Sequence, residues 1–203
     1  MKPNELVTCI EFPCEDVNHG AYIVPGMDVD PDEISIIVIS EAAPSKAEDY
    51  YYAGEDASYQ RTTVQAFEAA GAKVTSFREI QDLGVYFTSA VKCGKTGYGI
   101  KAGTIKECST LLEKELDFFS NVKAYLLMGD VAIKAINYIT KRAGEGRAIP
   151  AGSTYKIRGS EYFFRGARAF PSYLQVGPSF GIEKSKQRMI AEDISAALEC
   201  VGY

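Results

Sequence analysis

The chain has 203 residues, of which 46% are hydrophobic and 24% are charged, a composition typical of a globular protein with one sizeable core. No apolar stretch approaches the length that spans a bilayer, and the first residues lack the basic and then apolar run of a secretory signal. The sequence therefore predicts a single domain over residues 1–203 in the reducing cytoplasm and argues against a disulfide-stabilised secreted protein.

The net charge of −5 is unevenly distributed along the chain. Residues 1–60 hold two basic side chains, Lys2 and Lys46, against thirteen acidic ones. Subtracting these from the totals of 22 basic and 27 acidic residues leaves 20 and 14, a net charge of +6 for residues 61–203. That part is able to present a basic face to a phosphate backbone, although a solvated mixed surface has the same composition.

Strand and helix patterns alternate along the chain. Residues 34–39 are apolar and β-branched, which predicts a strand buried on both faces of a parallel sheet, with Ser40 and Glu41 just past its end. The further predicted elements, in chain order, are a helix over 59–70 closed by Gly71, a strand over 85–88, a helix from a capping box at Thr104 to about 119, a strand over 124–128, a helix capped by Asp130 to about 142, strands over 155–158 and 162–169, and a helix over 183–201. This alternation predicts an α/β fold, a three-layer αβα sandwich with a central, mainly parallel sheet and a site at the carboxyl ends of its strands.

Two pairs of cysteines, Cys9 with Cys14 and Cys93 with Cys108, are the strongest chemical signal in the sequence. Proline or glycine lies between the members of each pair, so loops are able to bring the four thiolates together. In a reducing compartment such cysteines are more often metal ligands or buried residues than disulfides. We therefore predict one iron–sulfur cluster; the alternative is four unconnected buried or free thiols. The fifth cysteine, Cys200, is expected to pack as a small apolar residue.

Four blocks of the sequence together resemble a known family. They are Ser40-Glu41-Ala42-Ala43-Pro44 with Glu48-Asp49, Val85 to Cys93, Cys108 at the start of its helix, and Phe170-Pro171-Ser172-Tyr173-Leu174. In this order they resemble the uracil-DNA glycosylase superfamily, most closely its iron–sulfur members, and the likeness spans most of the chain. The resemblance implies that fold and a structural 4Fe–4S cluster on the four cysteines, which ties an N-terminal segment of about residues 1–30 to the middle of the domain. The family usually places two residues between its first two cysteines, whereas this chain has four.

The resemblance also implies a reaction, the hydrolysis of the bond between a damaged, uracil-like base and deoxyribose after the nucleotide has turned out of the DNA stack. Glu41 would position water or stabilise the cationic sugar, and Tyr52 would stack on the base. An alternative alignment matches Ala43-Pro44 to the family's Ala-Pro. It places Ala42 at the catalytic position and leaves Glu41 as a capping or solvated carboxylate.

Two positions in the base-binding set depart from the family pattern. Ser89 stands where the family has an asparagine that reads the base edge, and Phe170 stands where it has a histidine that stabilises the departing base. A hydroxyl makes fewer hydrogen bonds than an amide, and a phenyl ring donates none. Two hypotheses follow: a DNA glycosylase with altered base preference, or a non-catalytic iron–sulfur protein of the same fold that binds nucleic acid or a nucleotide. A third, an electron-transfer protein, rests on the cluster alone.

DNA is the predicted partner, bound by a monomer that does not associate with membranes. Contacts to the DNA backbone are expected from Lys92, Lys95, Arg168 and Ser172, with further basic side chains at Lys101, Arg165, Lys184 and Lys186. For any single basic residue, solvation of the surface is the alternative.

Overall fold

The computed structural model describes residues 1–54 and 57–203. These residues form an α/β structure in which one six-stranded sheet is flanked by helices, as the alternating sequence pattern predicts. The strands are β1 (Val17–Asn18), β2 (Ile36–Ala43), β3 (Val85–Lys95), β4 (Ala124–Met128), β5 (Tyr162–Phe164) and β6 (Ala167–Ser172). The helices are α1 (Pro3–Leu6), α2 (Ser58–Ala69), α3 (Phe77–Asp82), α4 (Ala102–Leu116), α5 (Asp130–Arg142), α6 (Thr154–Ile157) and α7 (Lys184–Glu199). Short 3₁₀ turns cover His19–Ala21, Pro31–Glu33, Ala47–Asp49 and Pro178–Gly181.

The sheet is mixed but mostly parallel. Its strand order is β1-β3-β2-β4-β6-β5, in which β3, β2, β4 and β6 are parallel and the two outermost strands are antiparallel to their neighbours. The chain leaves the central strand β2 for β3 on one side and then crosses to β4 on the other. In open parallel sheets this change of direction creates a crevice at the carboxyl ends of the strands, where ligands commonly bind.

Two hydrophobic clusters, one on each face of the sheet, hold the helices in place. On β2, Ile37 and Ile39 point into the cluster under α4 and α5, whereas Ile36 and Val38 point into the cluster under α2 and α7. All four of these side chains are fully buried. The continuous apolar run in the sequence is therefore explained by burial on both faces, as predicted. Within the described residues, no helix is long and apolar enough to cross a membrane.

Two of the parallel strands are longer than the sequence predicts. β2 continues to Ala43, so Ser40 and Glu41 lie within the strand rather than after it, and β3 continues to Lys95, so Cys93 also lies in a strand. The reason is mutual pairing, because β2 and β3 remain in register from Ile36 opposite Val85 until a bulge after Ala42. This pairing joins residues far apart in sequence. Because the strand ends carry polar residues, the local sequence pattern does not predict that the strands continue.

Three local predictions also need correction. Residues 155–158, predicted as a strand, form the helical turn α6, in which Ile157 is the buried residue. Thr104 does not cap α4, which begins two residues earlier; its hydroxyl bonds to the N-terminal segment instead. Asp130 is the first residue of α5 rather than its cap, and its carboxylate pairs with Lys134 one turn later.

Candidate metal centre and carboxyl-edge site

The four paired cysteines converge between β3, α4 and the N-terminal segment. Cys93 and Cys108 are buried, Cys9 and Cys14 are half-buried, and all four pack against the same hydrophobic cluster. Burial, together with the nearby thiols of the other three, raises the pKa of Cys93 to about 12. No disulfide joins them within the described residues. Cys200 is exposed at the end of α7, which corrects the expectation that it packs as an apolar residue.

A single metal ion and a four-iron cluster require different arrangements of their ligands. Within residues 1–54 and 57–203, no three His, Cys, Asp or Glu side chains are grouped so that they could hold a single metal ion. A four-iron cluster makes a different demand, because each thiolate binds a different iron and the sulfurs surround the cluster rather than meet at one ion. Four thiols from three separate segments are a donor set of that kind.

Asp16 fastens the N-terminal segment to the β3–α4 region. Its carboxylate accepts a hydrogen bond from the backbone N–H of Lys101, at 2.6 Å, and another from the hydroxyl of Thr104. Its carbonyl oxygen accepts a hydrogen bond from Thr96 at 2.9 Å. These contacts span 80 to 88 residues of sequence, so they hold Cys14 close to the start of α4, the helix that carries Cys108.

The same segment packs directly on β3 beside Cys93. Strand β1 pairs with Gly94 and Lys95, and the backbone N–H of Ile23 donates to the carbonyl of Lys92 at 2.8 Å. A Cβ on Gly94 would lie 2.7 Å from the Cβ of Ala21 and 2.9 Å from the carbonyl oxygen of Pro44. Glycine is therefore required at this position for the N-terminal segment to approach the cysteines.

Lys92 forms a buried ion pair with Glu115 beneath the cysteine site. Both side chains are fully buried. The ammonium also donates to the hydroxyl of Thr88 and to the carbonyl of Ser89, each at 2.7 Å, and the carboxylate accepts from the hydroxyl of Tyr86 at 2.7 Å. This corrects the prediction that Lys92 contacts DNA phosphates, because its charge is turned inwards and is fully hydrogen-bonded.

Glu41 lies at the carboxyl edge of the sheet, where the chain direction changes. Its carboxylate is half-buried, with Oε2 3.0 Å from the Nζ of Lys95. Its other oxygen lies against Gly129, the residue that precedes α5, and its charge contributes to raising the pKa of the nearby Tyr59, for which burial is the main cause. Glu41 is therefore ion-paired at a helix N-terminus, which is a favourable location for negative charge. It is not a solvated carboxylate, and its place beside the start of α5 agrees with the capping role of the alternative interpretation.

Gly129 makes this position possible, and its replacement is expected to be costly. Its φ of +101° is in a region that L-residues rarely adopt, and an added Cβ would lie 2.6 Å from Oε1 of Glu41. We expect Gly129→Ala to lower the free energy of unfolding by more than about 1 kcal/mol, measured by urea denaturation. Gly146→Ala, with open space around it and an ordinary φ, is the control. An equal loss in the two variants would contradict the tight contact with Glu41.

Ser89 lies inside the molecule, opposite Ser40 on β2. Both side chains are fully buried, and their hydroxyls are 3.0 Å apart. The Tyr52 hydroxyl accepts a hydrogen bond from the backbone N–H of Phe87 and donates one to the carbonyl of the same residue. The ring of Tyr52 packs against Phe77, with ring centroids 5.7 Å apart. The roles predicted for Ser89 and Tyr52 in base binding remain predictions.

The last motif forms strand β6. Phe170 is buried opposite Leu126, with the guanidinium of Arg168 5.0 Å from the centre of its ring. Arg168 also pairs with the exposed carboxylate of Glu161. Ser172 is fully buried, and its carbonyl accepts a hydrogen bond from the backbone N–H of Gly129 at 3.0 Å. The predicted contact of DNA phosphates with main-chain amides near Pro171 and Ser172 stays a prediction, and Lys95 and Arg168 remain partly exposed.

Glu115 was missed by sequence reasoning, and Gln175, which is near enough in sequence to the last motif to replace an absent base-binding group, was not expected to be buried. Glu115 follows Cys108, Leu111 and Leu112 at helical spacing on the buried face of α4, and a carboxylate at such a position is a sequence signal of a buried partner. Gln175 is fully buried after β6, where no periodic pattern indicates its burial. Comparison with known proteins adds no family to this description: no protein-family model matches the chain, and neither does any curated protein.

Proposed function

We propose that the protein is an iron–sulfur DNA glycosylase of the uracil-DNA glycosylase type, which hydrolyses the N-glycosidic bond of a damaged, uracil-like base. The observation that carries this proposal is the linkage of two sites. Cys93 lies on the same strand as Lys95, whose ammonium is 3.0 Å from the Glu41 carboxylate. A metal centre on the cysteines would therefore support the strand end that positions the proposed catalytic carboxylate.

The arrangement of the motif blocks supports the proposed glycosylase-like fold. The blocks around Glu41, Cys93 and Ser172 are far apart in sequence, yet they lie at the carboxyl ends of three parallel strands of one sheet. The proposed 4Fe–4S cluster would be bound by Cys9, Cys14, Cys93 and Cys108. When bound, it supplies a structural crosslink between the N-terminal segment and the β3–α4 region.

In the proposed reaction Glu41 acts on water and on the sugar. Water adds across the bond between C1′ of deoxyribose and the base nitrogen: its oxygen binds C1′, and the bonding electron pair leaves with the base. The carboxylate first stabilises positive charge on the sugar and then accepts a proton of the attacking water, which passes on to the departing base anion. When DNA binds, the Lys95 ammonium would exchange its ion pair with Glu41 for one with a DNA phosphate. This exchange would free the carboxylate for the reaction.

A second candidate function is a non-catalytic iron–sulfur protein that binds nucleic acid. The burial of Ser89 and Phe170 favours it, because a base cannot reach either side chain while Tyr50 and Tyr51 fill the space beside the hydroxyls. A surface groove of about 670 Å³ lies elsewhere, beside α5 and the loop that follows it.

Replacing Glu41 distinguishes the two functions. We expect Glu41→Gln to lower base release from uracil- or hypoxanthine-containing DNA by about 10²- to 10⁴-fold, because the amide cannot accept the proton. Glu68→Gln is the control, since that carboxylate is exposed on α2 and lies outside the motif blocks. The measurement uses anaerobically purified protein with single- and double-stranded substrates. Equal rates for Glu41→Gln and the unmodified protein would remove Glu41 from the mechanism, and no release by cluster-loaded protein would favour the binding function.

A further inference from the structure

The segment between Cys9 and Cys14 contains a strained backbone conformation. Phe12 has a φ of +45°, in a region where residues other than glycine, asparagine and aspartate are uncommon. Pro13 follows it, and the residue before a proline usually has an extended backbone. Such a conformation costs free energy and persists only where surrounding contacts hold it, so it points to a function for those contacts.

Among the described residues, the other non-glycine residue with a positive φ is accounted for by a turn. Arg165 and Gly166 form the two-residue connection between β5 and β6, where a type I′ turn requires a positive φ at both positions. Phe12 lies in no such turn, because the nearest strand, β1, begins at Val17 and pairs with β3. Strand pairing therefore does not explain the conformation of Phe12.

The side chain of Phe12 is turned towards the protein. Of the four residues between the two cysteines, Ile10, Glu11 and Pro13 are exposed, whereas Phe12 is half-buried. Its ring packs against the same hydrophobic cluster as the four paired cysteines, and its centroid lies 5.2 Å from that of the Tyr22 ring. The strained conformation therefore brings an aromatic ring to the part of the core that holds the thiols.

Tyr22 connects the Phe12 ring to the cysteine site. Its hydroxyl donates to the carbonyl of Val7 at 3.1 Å and lies beside the backbone of Cys9. Burial, with smaller contributions from the nearby thiols of three paired cysteines, raises the pKa of this hydroxyl to about 12. The rings of Phe12 and Tyr22 meet edge to face, at 88°, and so border the thiols on the side of the N-terminal segment.

We propose that Phe12, packed on Tyr22, is a lid that shields the cysteine site from solvent and controls how fast metal leaves it. This inference rests on the proposed function, because the metal would be the proposed cluster. The two residues that this chain has beyond the family spacing allow one side chain, Phe12, to turn back over the site. An apolar shell of this kind limits the access of water and of competing ligands to a metal centre.

The rate at which EDTA removes iron from anaerobically purified protein tests the lid. We expect Phe12→Ala to lose iron about tenfold faster than the unmodified protein, because the opening that admits the chelator costs less free energy without the ring. Phe12→Leu, which keeps an apolar side chain, should stay closer to the unmodified rate. Phe163→Ala is the control, since that ring is 55% exposed on β5, at the sheet edge opposite β1. Equal rates in Phe12→Ala and Phe163→Ala would overturn the proposal.

Phe12→Gly separates a shielding role from a structural one. Glycine adopts a positive φ without strain, so this variant should have a higher Tm than Phe12→Ala. It has no ring, however, and we expect it to lose iron as fast as Phe12→Ala at a temperature well below either Tm. Iron loss that instead follows Tm through the variants would show that Phe12 is structural and would overturn the inference.

The two proposals fail in different ways, and alkylation of the protein as purified distinguishes them. Iodoacetamide should label Cys9 and Cys14 faster in Phe12→Ala than in Phe163→Ala, with exposed Cys200 as the reference within the same molecule. Absence of iron from the unmodified protein would remove the proposed cluster, and the labelling rates would then decide the lid. Iron loss and labelling that do not depend on Phe12 would remove the lid and leave the proposed function intact.

Discussion

Replacing Cys108 with serine is expected to abolish binding of the proposed cluster and to lower Tm by about 10 °C. For a chain of this length, each kcal/mol of lost stability lowers Tm by about 2–4 °C, and the expected loss is several kcal/mol. Cys108 is buried in α4, close to Cys9 and Cys14 from the N-terminal segment. A serine hydroxyl is a poor iron ligand, so the segments would lose their crosslink.

The measurement compares iron and sulfide content, visible absorbance and thermal unfolding in anaerobically purified protein. Cys200→Ser is the matched control, because Cys200 is exposed at the far end of α7 and the same atom is exchanged. We expect this control to match the unmodified protein in all three measurements. Equal iron content in Cys108→Ser and Cys200→Ser would instead support the alternative of unconnected thiols.

The sequence predicts the α/β alternation and the buried central strand well, because both depend on local patterns. Ile36 to Ile39 form a short β-branched run that has few alternatives to a doubly buried strand. The extension of β3 as far as Cys93 depends instead on pairing with β2, about 50 residues away in sequence. The grouping of the four cysteines as ligands stays a prediction, and Cys93 lies on a strand rather than on the predicted loop.

Side chains near the site are less predictable, because their environment is determined by distant partners. A lysine is usually exposed on the surface, and the burial of Lys92 is possible only because Glu115 lies opposite it. The three consecutive tyrosines that begin at Tyr50 gave no periodic signal, yet they form an aromatic cluster with Phe77. Gln175 owes its position to Tyr51, which lies 124 residues earlier.

Removing one member of the buried ion pair is expected to have the second large effect. Glu115→Gln keeps the size of the side chain but leaves the ammonium of Lys92 buried without a counter-charge. Such a loss typically costs about 3–5 kcal/mol in the free energy of unfolding, because an unpaired charge in the interior has lost its hydration. Urea denaturation of the anaerobically purified protein measures it.

Two further variants test whether the loss of stability in Glu115→Gln comes from the unpaired charge of Lys92 or from the loss of contacts in general. The double variant Lys92→Met with Glu115→Leu removes both charges together, so we expect it to recover most of the stability lost in Glu115→Gln. Glu113→Gln, on the same helix, breaks a partly exposed pair with Arg142 and is expected to cost less than about 1 kcal/mol. Similar losses in Glu113→Gln and Glu115→Gln would contradict a special role for the buried pair.

The ion pair also bears on the cysteine centre. Lys92 precedes Cys93 in β3, and its backbone N–H lies near the thiol of Cys108. Its charge lies close enough to Cys108 to lower the pKa of that thiol, against the larger effect of burial. A shift of β3 relative to α4 in Glu115→Gln would therefore displace both buried cysteines, and we expect this variant to lose iron in air faster than Glu113→Gln. Equal rates of iron loss in the two variants would show that the ion pair does not stabilise the proposed metal centre.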